Sequence, residues 1–268
     1  MIRPKICVTL SGCTVDEVLA DAARASAVGA DFCEVRLDKL WVIEEKLESI
    51  ESENEEESKN KSSGPIQLEY IPREFDSVNL VESLNAFKGG IDLPVIMTCR
   101  PKVQGGYFPG SEEQRIDVLR SAIESGVSWI DLEANMDAEK RSELITLANG
   151  NTSVVSSIHL EEEPNSSTEI KEEIESMNGT GDIIKICYKA TGRNSGLRLF
   201  EAAWSLRESD LKTAIMGIGP GGDWTRIHAP LLCQDLVYTT MESGPHLSSQ
   251  GRINASDLLM AWELLEYE

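Results

Sequence analysis

Lys185 has the residue type and the setting of a nucleophilic amine. It lies in the run Asp182-Ile-Ile-Lys-Ile-Cys-Tyr, with an isoleucine on each side. Burial in such a run penalises the ammonium form and favours the neutral amine that forms a Schiff base with a ketone. Two other interpretations stay open, because the side chain could extend to solvent or pair with Asp131 or Glu133. Lys189, at the edge of the same run, is the alternative amine.

His159 is the corresponding candidate for proton transfer. It ends the apolar run 152–158, one predicted strand before Lys185. Neighbouring strand ends lie about 4.8 Å apart, so both side chains can reach one small molecule. An imidazole accepts and donates protons near neutral pH. A single histidine at a strand end is more often structural, but beside a buried lysine the acid–base interpretation is favoured.

Further charged side chains occupy other strand ends. Glu34 and Arg36 are two residues apart and therefore face the same side of their strand. They form either a structural ion pair at the mouth of the sheet or a set of hydrogen bonds to substrate hydroxyls. Arg100 and Arg226 lie where a guanidinium fork could bind a carboxylate.

These side chains require a parallel sheet whose strand ends converge. Apolar, β-branched runs alternate with amphipathic helical stretches, which is typical of such a sheet wrapped by helices. Eight βα units in 268 residues predict one (β/α)8 barrel, a TIM barrel spanning residues 1–268, with reactive groups at the carboxyl ends of the strands. The predicted strands span residues 5–10, 30–37, 94–99, 128–132, 152–158, 182–187, 213–218 and 234–239. The predicted helices span residues 15–28, 78–87, 112–125, 138–148, 169–177, 196–208, 224–232 and 255–265.

An acidic segment interrupts this alternation. Residues 44–63 contain eight acidic residues and three lysines, and they follow the second predicted strand. A segment of this composition buries too little apolar surface to offset its ordering entropy. We therefore expect a mobile surface insertion that plays no part in catalysis, and the alternative is a partner-binding role.

The overall composition narrows the function classes. The formal net charge is −21, from 25 basic and 46 acidic residues, and it argues against nucleic-acid and anionic-membrane partners. Six cysteines without C-x-x-C spacing are expected to be buried thiols, and three histidines do not suffice for a histidine-rich metal site. No apolar run approaches the length of a membrane span, and the first residues carry no targeting pattern, so a cytoplasmic location is expected.

Short blocks along the chain carry a family resemblance, and the matching residues follow in sequence order. They are Ile6-Cys-Val-Thr, Ala30-Asp-Phe-Cys-Glu-Val-Arg-Leu-Asp38, Pro94-Val-Ile-Met-Thr-Cys-Arg100, Gly105-Gly106, Ile130-Asp-Leu-Glu133, Ser156-Ser-Ile-His159, Ile184-Lys-Ile186, Met216-Gly-Ile-Gly219, Thr225-Arg226 and Gln250. In order and spacing they resemble the type I 3-dehydroquinate dehydratases along nearly the whole chain, the acidic segment excepted.

The resemblance implies a mechanism and a set of site residues. Lys185 would condense with the C3 ketone of 3-dehydroquinate, and His159 would remove the C2 proton and later protonate the departing C1 hydroxyl. The products would be 3-dehydroshikimate and water, in the shikimate pathway of aromatic amino acid biosynthesis. No metal or other cofactor is implied, and a homodimer is expected. The implied substrate contacts are Thr9, Glu34, Arg36, Arg100, Arg226 and Gln250.

The sequence departs from the family pattern at two places. Gln104 stands where the family has a glutamate that orients the histidine, and a neutral amide cannot stabilise imidazolium with a full charge. The family's Ser-Ala-Pro-Gly-Gln lid motif reads His246-Leu-Ser-Ser-Gln250 here. These changes motivate one alternative, a catalytically weak binding paralogue. The other alternative is a Schiff-base aldolase-type barrel, with Gly219-Pro-Gly-Gly as its phosphate site.

Overall fold

The fold is built on parallel strands wrapped by helices. The computed structural model describes residues 3–46 and 68–267. Its strands are β1 (Lys5–Thr9), β2 (Phe32–Arg36), β3 (Val42–Lys46), β4 (Leu68–Pro72), β5 (Val95–Thr98), β6 (Trp129–Glu133), β7 (Ser153–Leu160), β8 (Ile183–Lys189), β9 (Thr213–Ile218) and β10 (Leu236–Thr239). Eight of them form one parallel sheet in the order β10-β1-β2-β5-β6-β7-β8-β9.

The two ends of this sheet meet and nearly close the barrel. The backbone N–H of Asp235 donates to the carbonyl of Thr213 at 3.0 Å. The side chain of Gln234 accepts from the backbone N–H of Ile215 at 2.7 Å. The predicted (β/α)8 barrel and its eight strands are therefore confirmed.

Helices lie between successive strands and cover the outside of the sheet. They are α1 (Val15–Ala27), α2 (Leu80–Gly90), α3 (Glu112–Glu124), α4 (Ala138–Ala148), α5 (Ser167–Ser176), α6 (Arg193–Leu206), α7 (Trp224–Ile227), α8 (His246–Ser249) and α9 (Ala255–Leu264). Thr14 and Ser111 begin α1 and α3 with capping boxes, in which side chain and backbone satisfy each other's free donors. Among the described residues, no helix is long and apolar enough to cross a membrane.

Alternation along each strand separates the barrel interior from the layer under the helices. In β10, Leu236 and Tyr238 face the interior cluster, whereas Val237 packs in the outer core. In β8, Ile183 and Cys187 face inward, which places Lys185 on the same side. The period of two thus sends every second side chain of a strand toward the barrel axis.

A β-hairpin after β2 was not predicted. Strands β3 and β4 pair antiparallel, from Val42 opposite Pro72 to Lys46 opposite Leu68. Residues 44–46 therefore form a strand rather than a loop, because they pair with a strand more than twenty residues away. The mobility of the insertion stays a prediction. Residues 47–63 of the acidic segment lie outside the described residues.

Aromatic packing fixes the base of this hairpin to the barrel. Trp41 stacks on Phe75 with ring centroids 5.6 Å apart and meets the edge of Phe108 at 5.1 Å. The indole N–H of Trp41 also donates to the carbonyl of Phe75 at 2.8 Å. Both ends of the insertion are thereby held against the loop that follows β5.

Two smaller differences concern helices near the carboxyl end. The helix predicted over residues 224–232 is helical over Trp224–Ile227 and continues as turns. Pro230 lacks the N–H that would donate to the carbonyl of Arg226, so the regular helix ends early. The short helix His246–Ser249 was not predicted.

Candidate active site

A cavity of about 540 Å³ opens at the carboxyl ends of the barrel strands. Every site residue predicted from the sequence lines it. These residues are Thr9, Glu34, Arg36, Arg100, Gln104, His159, Lys185, Arg226 and Gln250. Residues from distant parts of the sequence therefore meet at one place, as expected for the mouth of this fold.

Lys185 lies at the floor of this cavity and is 4% exposed. Its Nζ is 3.2 Å from Asp131 Oδ2 and 3.3 Å from Glu34 Oε1. The same atom lies 3.8 Å from the ring centroid of Tyr238, which is a cation–π distance. The side chain does not extend to solvent, and its partners are Asp131 and Glu34 rather than Glu133. Lys189 is exposed at the end of β8.

The contact between Lys185 and Glu34 spans the barrel. In the sheet order, three strands separate β8 from β2 in either direction, so the two residues lie on opposite walls. Their atoms meet because both side chains point inward. The lysine nitrogen therefore lies close to the barrel axis, directly beneath the cavity.

Glu34 is held by a set of hydrogen bonds that keep it ionised. It accepts from Thr9 at 2.7 Å and from Thr98 at 2.9 Å, in addition to Lys185. Burial alone raises the pKa of the Glu34 carboxyl, but Lys185 and Arg36 outweigh burial and the net pKa is lowered.

Arg36 does not pair with Glu34. Its Nε and Nη2 bind Asp38 at 2.9 and 2.7 Å, a bidentate geometry. Asp38 also accepts from the backbone N–H groups of Arg100 and Tyr107. The proposed ion pair within β2 is therefore wrong, and Arg36 instead fixes the loop after β5 through Asp38.

Arg100 is the centre of a buried ionic network. Its Nη2 donates to Asp131 at 2.9 Å, and its Nη1 donates to Glu133 at 2.8 Å and Ser157 at 3.1 Å. Burial raises the pKa of the Asp131 carboxyl, yet Arg100 and then Lys185 lower it strongly, so Asp131 is ionised. Because protein carboxylates occupy the fork of Arg100, this guanidinium is not free to bind a substrate carboxylate through both nitrogens.

Arg226 is also engaged by the protein, through backbone carbonyls. Its Nη1 lies 2.6–2.9 Å from the carbonyls of Gly217, Gly222 and Gly251, and its Nε donates to the carbonyl of Tyr238 at 3.0 Å. These bonds tie β9, β10 and the loop after α8 together. The third guanidinium nitrogen of Arg226, Nη2, has no hydrogen bond to the part of the protein that the structure describes.

Gln250 lies at the end of α8, on the rim of the cavity. Its carboxamide oxygen accepts from Arg252 at 3.3 Å, and its backbone carbonyl accepts from the N–H of Gly219. The side chain is exposed, so it remains accessible to a molecule in the cavity. Arg252 lines the same cavity, and both of its terminal nitrogens, Nη1 and Nη2, donate to the carboxylate of Glu242.

His159 projects from β7 beside Lys185's strand, where it is opposite Cys187 in register. Burial lowers the pKa of His159, and the Arg100 and Lys185 cations lower it further, well below its ordinary value. The imidazole is therefore neutral at neutral pH and can accept a proton. Its Nδ1 has no hydrogen-bond partner within the part of the chain that the structure describes.

Gln104 does not contact His159 in this structure. Its Nε2 donates to Asn135 Oδ1 at 2.8 Å, and its Oε1 is buried without a partner among the described residues. The role of Gln104 in orienting the histidine stays a prediction.

Several cavity residues were missed by the sequence reasoning. Tyr238 was detectable, because it shares inward parity with Leu236 in a predicted strand. Its hydroxyl is buried without a partner among the residues described, and burial raises the pKa of this phenol well above its ordinary value. Lys39, Tyr70 and Tyr107 carried no local signal. Tyr70 enters the cavity on the unpredicted hairpin, Tyr107 on the loop after β5, and Lys39 on the turn Leu37–Trp41 that leads into the hairpin.

The fold and the cavity define a class: a barrel enzyme with an inward-facing lysine and a neutral histidine at the carboxyl ends of its strands. The family model described as Type I 3-dehydroquinase matches residues 6–267. The chain therefore belongs to the type I 3-dehydroquinase family.

Named relatives and solved structures agree with this assignment. The chain is 26% identical to the 3-dehydroquinate dehydratase of Methanosarcina barkeri, covering 94% of this chain and 92% of the relative. It is 27% identical to that of Methanococcoides burtonii, covering 98% and 95%. The type I 3-dehydroquinate dehydratase structure from Clostridium difficile superposes with a TM-score of 0.76 at 21% identity, covering 98% and 92% of the two chains. The Geobacillus kaustophilus 3-dehydroquinate dehydratase structure gives 0.77 at 18%, covering 98% and 91%.

Proposed function

We propose that this chain dehydrates 3-dehydroquinate to 3-dehydroshikimate in the shikimate pathway, through a Schiff base on Lys185. Family membership over residues 6–267 supports the reaction. The observation that carries the mechanism is the position of Lys185 Nζ, at the barrel axis beneath the cavity and between two carboxylates.

The carboxylates around Lys185 suit an iminium intermediate. Attack of the neutral amine on the C3 ketone gives a carbinolamine, which loses water to form a protonated imine. That nitrogen carries a positive charge where the ammonium lies now, 3.2 Å from Asp131 and 3.3 Å from Glu34. Fixed carboxylates aimed at a developing cation lower its free energy without reorganisation during the reaction.

His159 would then move the proton between carbon and oxygen. The iminium withdraws electrons from C2, so the neutral imidazole can remove a C2 proton and leave an enamine. The imidazolium formed in this step is flanked by Arg100 and Lys185, whose charges lower the pKa of His159. It is therefore a good acid for protonating the C1 hydroxyl, which leaves as water while the enamine collapses. Hydrolysis of the remaining imine releases 3-dehydroshikimate and restores the amine.

The substrate carboxylate needs a cationic position in a chain of net charge −21. We place it on the side of β9 and β10, where Arg226 Nη2 and the Gln250 carboxamide line the cavity. There a guanidinium already fixed by four carbonyls can donate its remaining nitrogen without further ordering. Thr9 and Glu34, on the adjoining strands β1 and β2, then face the ring hydroxyls.

The aldolase-type alternative requires the loop Gly219-Pro-Gly-Gly as its phosphate site, and two of the three backbone donors of this loop are engaged within the protein. In the loop Gly219-Pro-Gly-Gly, the N–H of Gly219 donates to the carbonyl of Gln250. The N–H of Gly222 donates to the carbonyl of Gly219. These donors are used within the protein and are not presented to a phosphate.

A direct assay follows the conjugated enone of 3-dehydroshikimate after 3-dehydroquinate is added to the purified chain. We expect turnover by the wild type and by Lys189→Ala, the control for loss of a cavity lysine. His159→Ala should lose dehydration while still forming the imine, because condensation and proton abstraction are separate steps. Binding of 3-dehydroquinate without turnover by the wild type would instead favour the binding paralogue. The homodimer and the cytoplasmic location stay predictions, and light scattering measures the first.

A further inference from the structure

The unpredicted hairpin contributes directly to the cavity. Tyr70, on β4, lines it together with Lys39 and Tyr107. The rings of Tyr70 and Tyr107 lie with centroids 4.5 Å apart. The N–H of Tyr107 binds Asp38, which also holds Arg36. The hairpin is thus attached to the residues at the end of β2 rather than projecting away from the barrel.

Lys39 completes this wall with a partly buried cation. Its Nζ donates to the carbonyl of Ser11 at 2.9 Å and lies 3.5 Å from the Tyr70 hydroxyl. It also lies 5.0 Å from the Tyr70 ring centroid. An ammonium has three donors, so at least one hydrogen remains for a molecule in the cavity. Glu44, the cross-strand neighbour of Tyr70, is exposed, and it has no salt bridge to Lys39 among the described residues.

The position of this wall relative to Lys185 indicates which part of a substrate it meets. Lys39 follows β2, and β2 lies across the barrel from β8. Arg226 and Gln250 follow β9 and β10, whereas Tyr107 follows β5, which lies across the barrel from β9. A ketone bound at Lys185 with its carboxylate toward Arg226 therefore leaves the sector of β2 and β5 for the carbons farthest from the carboxylate. Lys39 and Tyr70 line this sector, where Tyr70 packs on Tyr107. In 3-dehydroquinate these carbons carry the C4 and C5 hydroxyls.

We propose that Lys39 and Tyr70 form a specificity wall that binds the hydroxyl-bearing edge of the substrate. This inference rests on the proposed function and deepens it. The ammonium donates to a ring hydroxyl, and the Tyr70 hydroxyl is close enough to Lys39 to share that contact. The hairpin thereby takes part in substrate recognition. Lys39 and Tyr70 lie outside residues 44–63, for which the sequence predicts no part in catalysis.

The test compares two ketones that differ in their hydroxyl groups. 3-Dehydroquinate has them, and 3-oxocyclohexane-1-carboxylate keeps the ketone and the carboxylate without any hydroxyl. Lys39→Met should raise the KM for 3-dehydroquinate about tenfold and leave kcat within about twofold, since a hydrogen bond to a charged group is lost. Tyr70→Phe should raise it about threefold while keeping the ring contact with Tyr107. Borohydride trapping should show no change in the concentration of 3-oxocyclohexane-1-carboxylate that gives half-maximal labelling.

Glu69→Gln is the matched control, because Glu69 is the exposed neighbour of Tyr70 on the same strand. This substitution should change neither the KM for 3-dehydroquinate nor the concentration of 3-oxocyclohexane-1-carboxylate that gives half-maximal labelling. An unchanged KM in Lys39→Met and Tyr70→Phe would overturn the proposal, and so would equal shifts for the two ketones, which would indicate a merely structural role. If the wild type is active and the variants give either of these results, only the proposed specificity wall is overturned. A wild type that neither turns over nor forms an imine overturns the proposed function together with it.

Discussion

Lys185→Met removes the ammonium from between two buried carboxylates and keeps most of the apolar stem. Asp131 retains Arg100 at 2.9 Å, whereas Glu34 retains the hydroxyls of Thr9 and Thr98. Removing one partner of a buried ion pair costs about 3–5 kcal/mol. Because the loss falls mainly on Glu34, we expect the free energy of unfolding to fall by about 3 kcal/mol near pH 8.

The deficit should depend on pH in a defined direction. Burial raises the pKa of Glu34, and Lys185 is the largest of the charges that lower it. Without Lys185, burial and the Asp131 charge oppose Arg36 alone among the nearby cations, and we expect the folded-state pKa of Glu34 to rise above its unfolded value. Stability contributed by such a group is present below the unfolded pKa and is lost as pH rises through the folded pKa. The deficit relative to the wild type is therefore smaller near pH 5 than near pH 8.

Urea unfolding followed by tryptophan fluorescence at both pH values measures this difference. Lys189→Met is the control, because Lys189 borders the same cavity but is exposed. The reasoning is refuted if Lys185→Met is no less stable than Lys189→Met, or if its deficit does not change with pH.

Three further predictions concern the surroundings of the cavity. Gln104→Glu should raise the pKa of His159 and move the acid limb of the pH profile of kcat/KM to higher pH, because the base acts only above its pKa. An unshifted limb would mean that the side chains of residues 104 and 159 do not meet. Arg226→Lys should lower the free energy of unfolding by about 2 kcal/mol, because one ammonium cannot reach the four carbonyls that Arg226 binds. Urea unfolding measures this loss, and an unchanged midpoint would contradict the prediction. Replacing residues 49–65 by Asn-Gly keeps β3 and β4 and should leave the turnover rate within about twofold of the wild type. A large loss of turnover would show that the acidic segment takes part in catalysis.

The barrel was predictable because its signals are local. Each strand is a short apolar run bounded by turn residues. Each long helix has its own period, and all of them except α6 have a side-chain cap at the N-terminus. The inward parity that places Lys185, Glu34 and His159 in one cavity also follows from the strand period. The list of site residues could therefore be assembled before the structure, with its members assigned to the correct end of the sheet.

Pairing between distant segments was not predictable in the same way. Which inward side chains meet at the axis depends on strand register and barrel closure, so the contact between Lys185 and Glu34 had no signal in sequence spacing. The same holds for Arg36, whose partner is Asp38, and for the strands β3 and β4, which are separated by the acidic tract. The composition of the acidic segment predicted a solvated surface loop. It gave no sign that the residues on either side of this segment pair as strands.

Borohydride reduction in the presence of 3-dehydroquinate, followed by mass spectrometry of peptides, tests the central claim most directly. Reduction of the imine leaves a stable secondary amine on the lysine that formed it. The account predicts one adduct, on Lys185, that is absent in Lys185→Met and retained in Lys189→Met. An adduct mapped to Lys189, or full dehydratase activity in Lys185→Met, would contradict it.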